Sequence, residues 1–283
     1  MTPAISHVLL DIEGTTCPVS FVSGTLFPYA ARELGPFLAR RHDDGEVRAL
    51  VEAVLQGWQQ DGDPQAQQLL VEARDLGLAP AAPDAVAAAT GGSGASERNG
   101  ALIVPYLRWL IAVDRKFTPL KELQGLVWRE GYGRGELVGA LFEEVPDTLR
   151  LWHRQGLVLA VYSSGSIAAQ QLLYGHSHAG DLRPLFSHWF DTHSGGKHEM
   201  GSYQRICEAM DVDPGQVLFL SDSEAELEAA AAAGLQVVLS DRDAQVSGPV
   251  TPGQSNPGAG ATTSPSCIST LSQLSLAPTS PGS

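Results

Sequence analysis

The stretch Asp11-Ile12-Glu13-Gly14-Thr15-Thr16 places two carboxylates two residues apart. At an extended strand end, residues i and i+2 project from one side, so a single site can use both. A carboxylate is already ionised at neutral pH, so it can attack phosphorus without a lowered pKa. The resulting aspartyl phosphate splits hydrolysis into two easier displacements. The second carboxylate can give a proton to the leaving oxygen or help to hold a metal. Taken alone, Asp11 and Glu13 would serve equally well as an exposed acidic loop; the motifs further along the chain tip the balance to chemistry.

Two carboxylates beside a phosphate dianion repel one another, which calls for a hard cation. Mg²⁺ suits this setting because it takes few carboxylates together with water and phosphate oxygens. Asp222, in Leu220-Ser221-Asp222, is the natural further ligand. Its competing use is a helix N-cap, and Ser223-x-x-Glu226 reads as a capping box, leaving Glu226 as either an outer support of the site or a plain cap. Ser163-Ser164-Gly165-Ser166 offers hydroxyls and free N–H groups at a helix start, which suits a phosphate, although serines at such turns often only form the turn. Of 18 basic residues only three are lysines, and Lys197 stands in the glycine-rich Ser194-Gly195-Gly196-Lys197-His198-Glu199. A compact point charge is the property that separates Lys from Arg, and Lys197 is the best-placed fixed cation for an acidic site; otherwise it is a solvated surface lysine. His176-x-His178 lacks a third ligand, so no zinc site is expected. Trp58, Trp109, Trp128 and Trp152 lie in helical segments and read as core, with Trp109 or Trp128 candidates for an inner face.

These residues need a scaffold that brings them together. His7 to Leu10, Leu157 to Tyr162, Val217 to Leu220 and Leu235 to Leu239 are short apolar runs, three of them ending in a polar loop that leads to a helical pattern. Strand, loop and helix in repetition predict an α/β fold with a parallel, Rossmann-like sheet. Such sheets bind ligands outside the carboxyl ends of their strands, where Asp11, Ser163 and Asp222 all fall. Between the first two runs lie helical stretches at Leu26–Arg40, Glu46–Gln60, Pro64–Leu76, Leu102–Asp114 and Pro119–Arg134, broken at Gly91-Gly92-Ser93-Gly94. This is too long for a crossover and predicts an inserted helical cap. The expected organisation is a core of residues 1–22 and 146–243, a cap of 23–145, and a mostly disordered Ser/Pro/Gly-rich tail of 244–283, because that composition buries too little apolar area to offset chain entropy. Cys267, Ile268, Leu271, Leu274 and Leu276 suit a short strand and turn docking back over 266–276.

The net charge of −14 argues against nucleic-acid or anionic-membrane partners and for a small anionic substrate drawn in by local cations. Three scattered cysteines do not make a disulfide framework, and no segment has the length of a bilayer span. A cytoplasmic monomer is the expectation.

Asp-x-Glu-Gly-Thr-Thr, then Ser-Ser-Gly-Ser, a loop lysine and Leu-Ser-Asp, in that order, resembles the four-motif pattern of the haloacid-dehalogenase-like superfamily. Most of that superfamily carries aspartate two residues after the nucleophile. The glutamate at 13 instead resembles the enolase-phosphatases (acireductone synthases) of methionine salvage, as do Leu26-Phe27-Pro28-Tyr29, Asp114-Arg115-Lys116, Trp128-Arg129, Gly175-His176-Ser177 and Phe190-Asp191-Thr192. The resemblance runs from about Val8 to Val238. It implies Asp11 as nucleophile, Asp11, Glu13 and Asp222 as ligands of Mg²⁺, and Ser163, Ser164 and Lys197 in contact with substrate. It implies catalytic parts for Glu13 and Lys197, and it matches Glu226 to a family glutamate. The implied reaction enolises a diketo methylthiopentyl phosphate and removes its phosphate to leave acireductone, with the enolisation base unassigned. The chain departs from the pattern at His198-Glu199-Met200 and at Ser240-Asp241-Arg242. The rival readings are a capped Mg²⁺ phosphatase of another small ester without enolase activity, and an inactive relative acting as a binding module.

Overall fold

Val8, Leu9 and Leu10 are apolar in succession rather than in alternation, the mark of a strand covered on both faces, and they form β1 (His7–Leu10). A computed structural model of the protein describes residues 4–75, 93–246, 248–252 and 265–276. The chain divides into two units, residues 1–22 with 137–283, and residues 23–136. A single π-helical turn, Val22–Leu26, lies at the first crossing between them.

The inserted unit is helical: α1 (Phe27–Arg40), α2 (Gly45–Gln60), α3 (Pro64–Asp75), α4 (Ser93–Ala112) and α5 (Thr118–Gly133). Asp44 caps α2 by accepting from the Glu46 and Val47 amides, satisfying donors that the helix leaves orphaned. Its centre is a stack of Trp58 on Tyr106, ring centroids 4.8 Å apart. The Tyr106 hydroxyl donates to the buried Asp61 carboxylate, which Arg115 neutralises at 2.9 Å. The helix expected from Leu102 begins earlier, at Ser93, and carries Pro105 in its interior. Residues 91 and 92 of the expected glycine-rich break lie outside the described residues.

The other unit continues with α6 (Val145–Arg154), β2 (Val158–Tyr162), α7 (Ile167–Gly175), β3 (Phe186–Phe190), α8 (Met200–Met210), β4 (Val217–Ser221), α9 (Glu224–Ala232), β5 (Gln236–Ser240) and β6 (Ser266–Ile268). The six strands form one parallel sheet in the order β3-β2-β1-β4-β5-β6. Successive strands run outward from β1 to β3, and the chain then returns to the other side of β1 for β4, so β1 and β4 flank the point where the order reverses. On one face Leu9, Phe219, Tyr203, Ile206, Leu227 and Ala230 pack as a continuous core.

Two features depart from the sequence expectation. Residues 137–145 group with the sheet and not with the inserted helices. Gly139 N–H donates to the His176 carbonyl at 2.7 Å and Phe142 N–H to that of Thr16 at 3.1 Å, so this stretch is tied to the sheet unit before α6 begins. β3 escapes the apolar-run criterion because Ser187 and His188 interrupt it; one neighbour only leaves it an edge strand, where polar residues are tolerated. The tail contains β6, hydrogen-bonded to β5, and a turn at Leu271–Gln273 whose Leu271 is fully buried. Residues 253–264 and 277–283 of the expected disordered tail lie outside the described residues.

Phe219 is fully enclosed between β4's neighbours and α8. Phe219→Ala is expected to lower stability by about 3–5 kcal/mol, the cost of lost transfer energy plus a cavity. Urea titration checks this, and a loss under about 1 kcal/mol would place the core elsewhere.

Candidate active site

Leu10 pairs with Leu220, so β1 and β4 end side by side and release Asp11 and Asp222 at the same edge. The ladder carries on one step further, with Asp11 N–H donating to the Leu220 carbonyl at 3.0 Å. Beyond it the chain folds tightly: the Ile12 carbonyl accepts from the Thr15, Thr16 and Cys17 amides, and Gly14 N–H donates to the Cys17 carbonyl. Gly14 sits at φ +72°, and a β-carbon there would collide with the Asp222 carboxylate. Asp222 thus lies against the main chain of the turn that follows Asp11, which only glycine allows.

Lys197 reaches the same place from the loop before α8. Its ammonium lies 2.5 Å from Asp11 Oδ1 and 2.7 Å from Glu226 Oε2. Glu226 accepts a further bond from Ser221 Oγ at 2.7 Å, so its side chain is fixed from two directions. The lysine loop is held from below by two buried tyrosines. Tyr203 OH donates to the Lys197 carbonyl at 2.7 Å, Tyr162 OH to the Gly195 carbonyl at 2.9 Å, and the ammonium stands 5.9 Å from the Tyr162 ring centroid.

Burial pushes the Asp11 carboxyl up to about 7, with the Lys197 ammonium pulling against it. Burial alone would lower Lys197, but Asp11 and then Glu226 more than offset it and hold the ammonium above its ordinary value. Asp222 is also raised, first by burial and then by the negative charge of Glu226. Three carboxylates around one ammonium leave an excess of negative charge, which suits a second cation.

Among the described residues no three His, Cys, Asp or Glu side chains gather as a metal-holding group, so the expected trio of Asp11, Glu13 and Asp222 is not assembled from side chains alone. Mg²⁺ needs less, since one or two carboxylates suffice when water and phosphate oxygens complete the octahedron. Asp11 and Asp222, all-oxygen donors on either side of the Gly14 turn, fit that requirement. Glu13 is half-buried and bridges to Cys17.

Ser163 is buried beyond the end of β2; its N–H donates to the Phe190 carbonyl and its Oγ accepts from Gly165 N–H at 3.1 Å. Ser164, beside it, is exposed, and Ser166 caps α7. Ser223, not Asp222, caps α9, which leaves the Asp222 carboxylate out of capping. Glu226 is more than a cap, since its carboxylate holds Lys197. Sequence reasoning missed Tyr162 and Tyr203 as supports of Lys197, and Asp191, whose carboxylate accepts from the His193 and Ile167 amides and so joins the end of β3 to α7. The run Phe190-Asp191-Thr192, an acid at a strand end, was the available signal for Asp191.

Residues 5–234 match the haloacid dehalogenase-like hydrolase family. The chain belongs to that family. Within it, the chain is 44% identical over 239 residues to Enolase-phosphatase E1 of Synechococcus sp. (strain CC9902), covering 84% of this chain and 90% of that one. It is 46% identical over 239 residues, with the same coverage, to Enolase-phosphatase E1 of Synechococcus elongatus. The crystal structure of the Unknown transcript 4 protein from Saccharomyces cerevisiae superimposes with a TM-score of 0.58 at 27% identity, over 94% of this chain and 98% of that one. The parallel sheet with an inserted helical unit is therefore a haloacid-dehalogenase-like architecture.

Gly14→Ala tests the close approach of that turn to Asp222. It is expected to cut turnover at least 100-fold while the far-ultraviolet circular dichroism stays unchanged, because the side chain both strains φ and displaces the carboxylate. Turnover within threefold of wild type would show that the approach is not needed.

Proposed function

We propose that this chain is an enolase-phosphatase that enolises 2,3-diketo-5-methylthiopentyl-1-phosphate and removes its phosphate to give acireductone in methionine salvage. The observation that carries this reading is the buried Asp11 carboxylate, engaged on Oδ1 by Lys197 in a chain 44–46% identical to relatives bearing that name.

The Lys197 ammonium on Oδ1 steadies the Asp11 carboxylate, which attacks phosphorus. The bond from Asp11 to phosphorus forms as the phosphorus–oxygen bond to the enol breaks, and the departing oxygen takes a proton, for which Glu13 is the candidate donor. Water then releases phosphate from Asp11. Asp11 and Asp222 would hold Mg²⁺, whose charge would offset that of the phosphoryl oxygens. Ser163 and Ser164, at the start of α7, would contact the phosphate, and Lys197 would steady both Asp11 and the negative charge that builds on the substrate. Enolisation needs a base near the proton alpha to the carbonyl, and Glu13 can serve only when one of its oxygens is free of metal. Residues 23–136 take the part of the cap expected from the sequence. A surface of net charge −14 leaves the capture of this anion to Lys197 and the metal.

Asp11→Asn is expected to abolish turnover with the fold intact, since an amide is a poor nucleophile and a poor metal ligand. Steady-state kinetics decide this: activity within about tenfold of wild type, about 1.4 kcal/mol in barrier, contradicts the role. Excess EDTA should silence the enzyme and added Mg²⁺ restore it, whereas activity that persists under chelation removes the metal from the reaction. Because Asp11 titrates at about 7 without metal, protons compete with Mg²⁺ below that pH. Isothermal titration should find Mg²⁺ binding weakening from pH 8 to pH 6, by up to about tenfold for each unit below 7 if one proton is displaced. Binding that is flat across that range would exclude Asp11 as a ligand. Anaerobic analysis of the products separates the full reaction from plain phosphatase action, which would release phosphate without the enediol.

A further inference from the structure

The three carbonyls that follow the Asp-x-Glu pair are each held from outside the turn. Ser240 Oγ donates to the Gly14 carbonyl at 3.3 Å, the Arg242 guanidinium to that of Thr15, and Phe142 N–H to that of Thr16 at 3.1 Å. Ser240 and Arg242 leave the end of β5 two residues apart, so both reach the same stretch of main chain.

Arg242 is the hub of this arrangement. Its side chain is 13% exposed, its guanidinium lies 4.0 Å from the Phe142 ring centroid, and it bonds three separate stretches of chain. Besides Thr15 it donates to Glu144 Oε1 and, at 3.1 Å, to the Ser269 carbonyl next to β6. Glu144 Oε1 in turn accepts from Leu271 N–H at 3.2 Å, so the C-terminal turn and the nucleophile turn share one ion pair. Burying an ion pair costs more desolvation than an apolar pair of the same volume, so stability alone does not account for it. A planar fork with five donors does what neither Lys nor an apolar residue does here, which is to serve acceptors in three directions at fixed angles.

We propose that Arg242 is a positioning residue of the reaction: with Ser240 it fixes the peptide planes of Gly14 to Thr16, and so holds Asp11 and Asp222 in register, using the Glu144 carboxylate and the 265–276 segment as its anchor. Its importance to turnover rests on the function proposed above; its hold on the turn does not. The turn amides of Thr15, Thr16 and Cys17, which bond the Ile12 carbonyl, report that hold directly.

The test is Arg242→Met in the full chain, which keeps a stem over Phe142 and removes every donor, read by two measurements. Hydrogen exchange of the peptide spanning residues 11–21, without substrate, should speed up at least tenfold while peptides of the inserted helices stay unchanged. Turnover of the diketo phosphate should fall at least tenfold with KM within threefold, because alignment and not substrate binding is lost. A folded Arg242→Met protein whose turn exchange and kcat both stay within threefold of wild type overturns the proposal, as does exchange that rises equally in every peptide. If Arg242→Met does not fold, Arg242→Lys, which keeps a cation opposite Glu144 but cannot reach all three acceptors, is read in the same way. Here faster turn exchange supports the role and wild-type values in both measurements overturn it. Should wild type fail to act on the diketo phosphate, the function proposed above falls and the exchange measurement still decides the place of Arg242.

Discussion

An ammonium buried between two carboxylates is stable only when all three are held in place, and the Lys197 contact with Asp11 and Glu226 sets that demand on the whole sheet unit. Leaving any one of the three groups unpaired would strand a buried charge, at a cost of about 3–5 kcal/mol. The fold meets the demand by drawing each partner from a different element. Asp11 comes from the end of β1, Glu226 from the first turn of α9, and Lys197 from the loop before α8. The adjacency of β1 and β4 is what makes this geometry available, since it is the place where the strand order reverses and the loops diverge.

The chemistry follows from how that charge is shared. Lys197 neutralises part of the acidic cluster but not all of it, and the remaining charge on Asp11 and Asp222 is what a divalent cation would answer. The same desolvation that raises Asp11 strengthens every electrostatic contact made there, so a phosphoryl group entering the site meets charges undimmed by water. Rigidity is supplied from beneath by Tyr162 and Tyr203 and from behind by the carbonyl bonds of Ser240, Arg242 and Phe142. A site built of opposed charges needs such support, because a small displacement changes both the pairing and the reach of the nucleophile.

Much of this was legible in the sequence because its signals are local. β1, β2 and β4 read as unbroken apolar runs, and Asp11, Ser163 and Asp222 stand where those runs stop. Lys197 could be singled out because lysine is rare in this chain. What was not legible depends on contacts between distant residues. β3 is an edge strand interrupted by Ser187 and His188, so it lacks the signature of its buried neighbours. The stretch at 137–145 joins the sheet through main-chain bonds that no side-chain pattern announces. Glu226 looks like half of a capping box, and only the approach of Lys197 from nearly thirty positions away gives its carboxylate another use. Arg242 reads in sequence as a departure from a family pattern; its three acceptors lie at positions 15, 144 and 269, which no spacing rule connects.

The central claim is that the Asp11 carboxylate, steadied by Lys197, bonds to phosphorus. Borohydride reduction of the enzyme quenched during turnover converts an aspartyl phosphate into homoserine, and peptide mass spectrometry locates the converted residue. Homoserine at position 11, and at no other carboxylate, is the result this account requires; phosphate release with Asp11 unconverted, or with the conversion at Glu13 or Asp222, would contradict it.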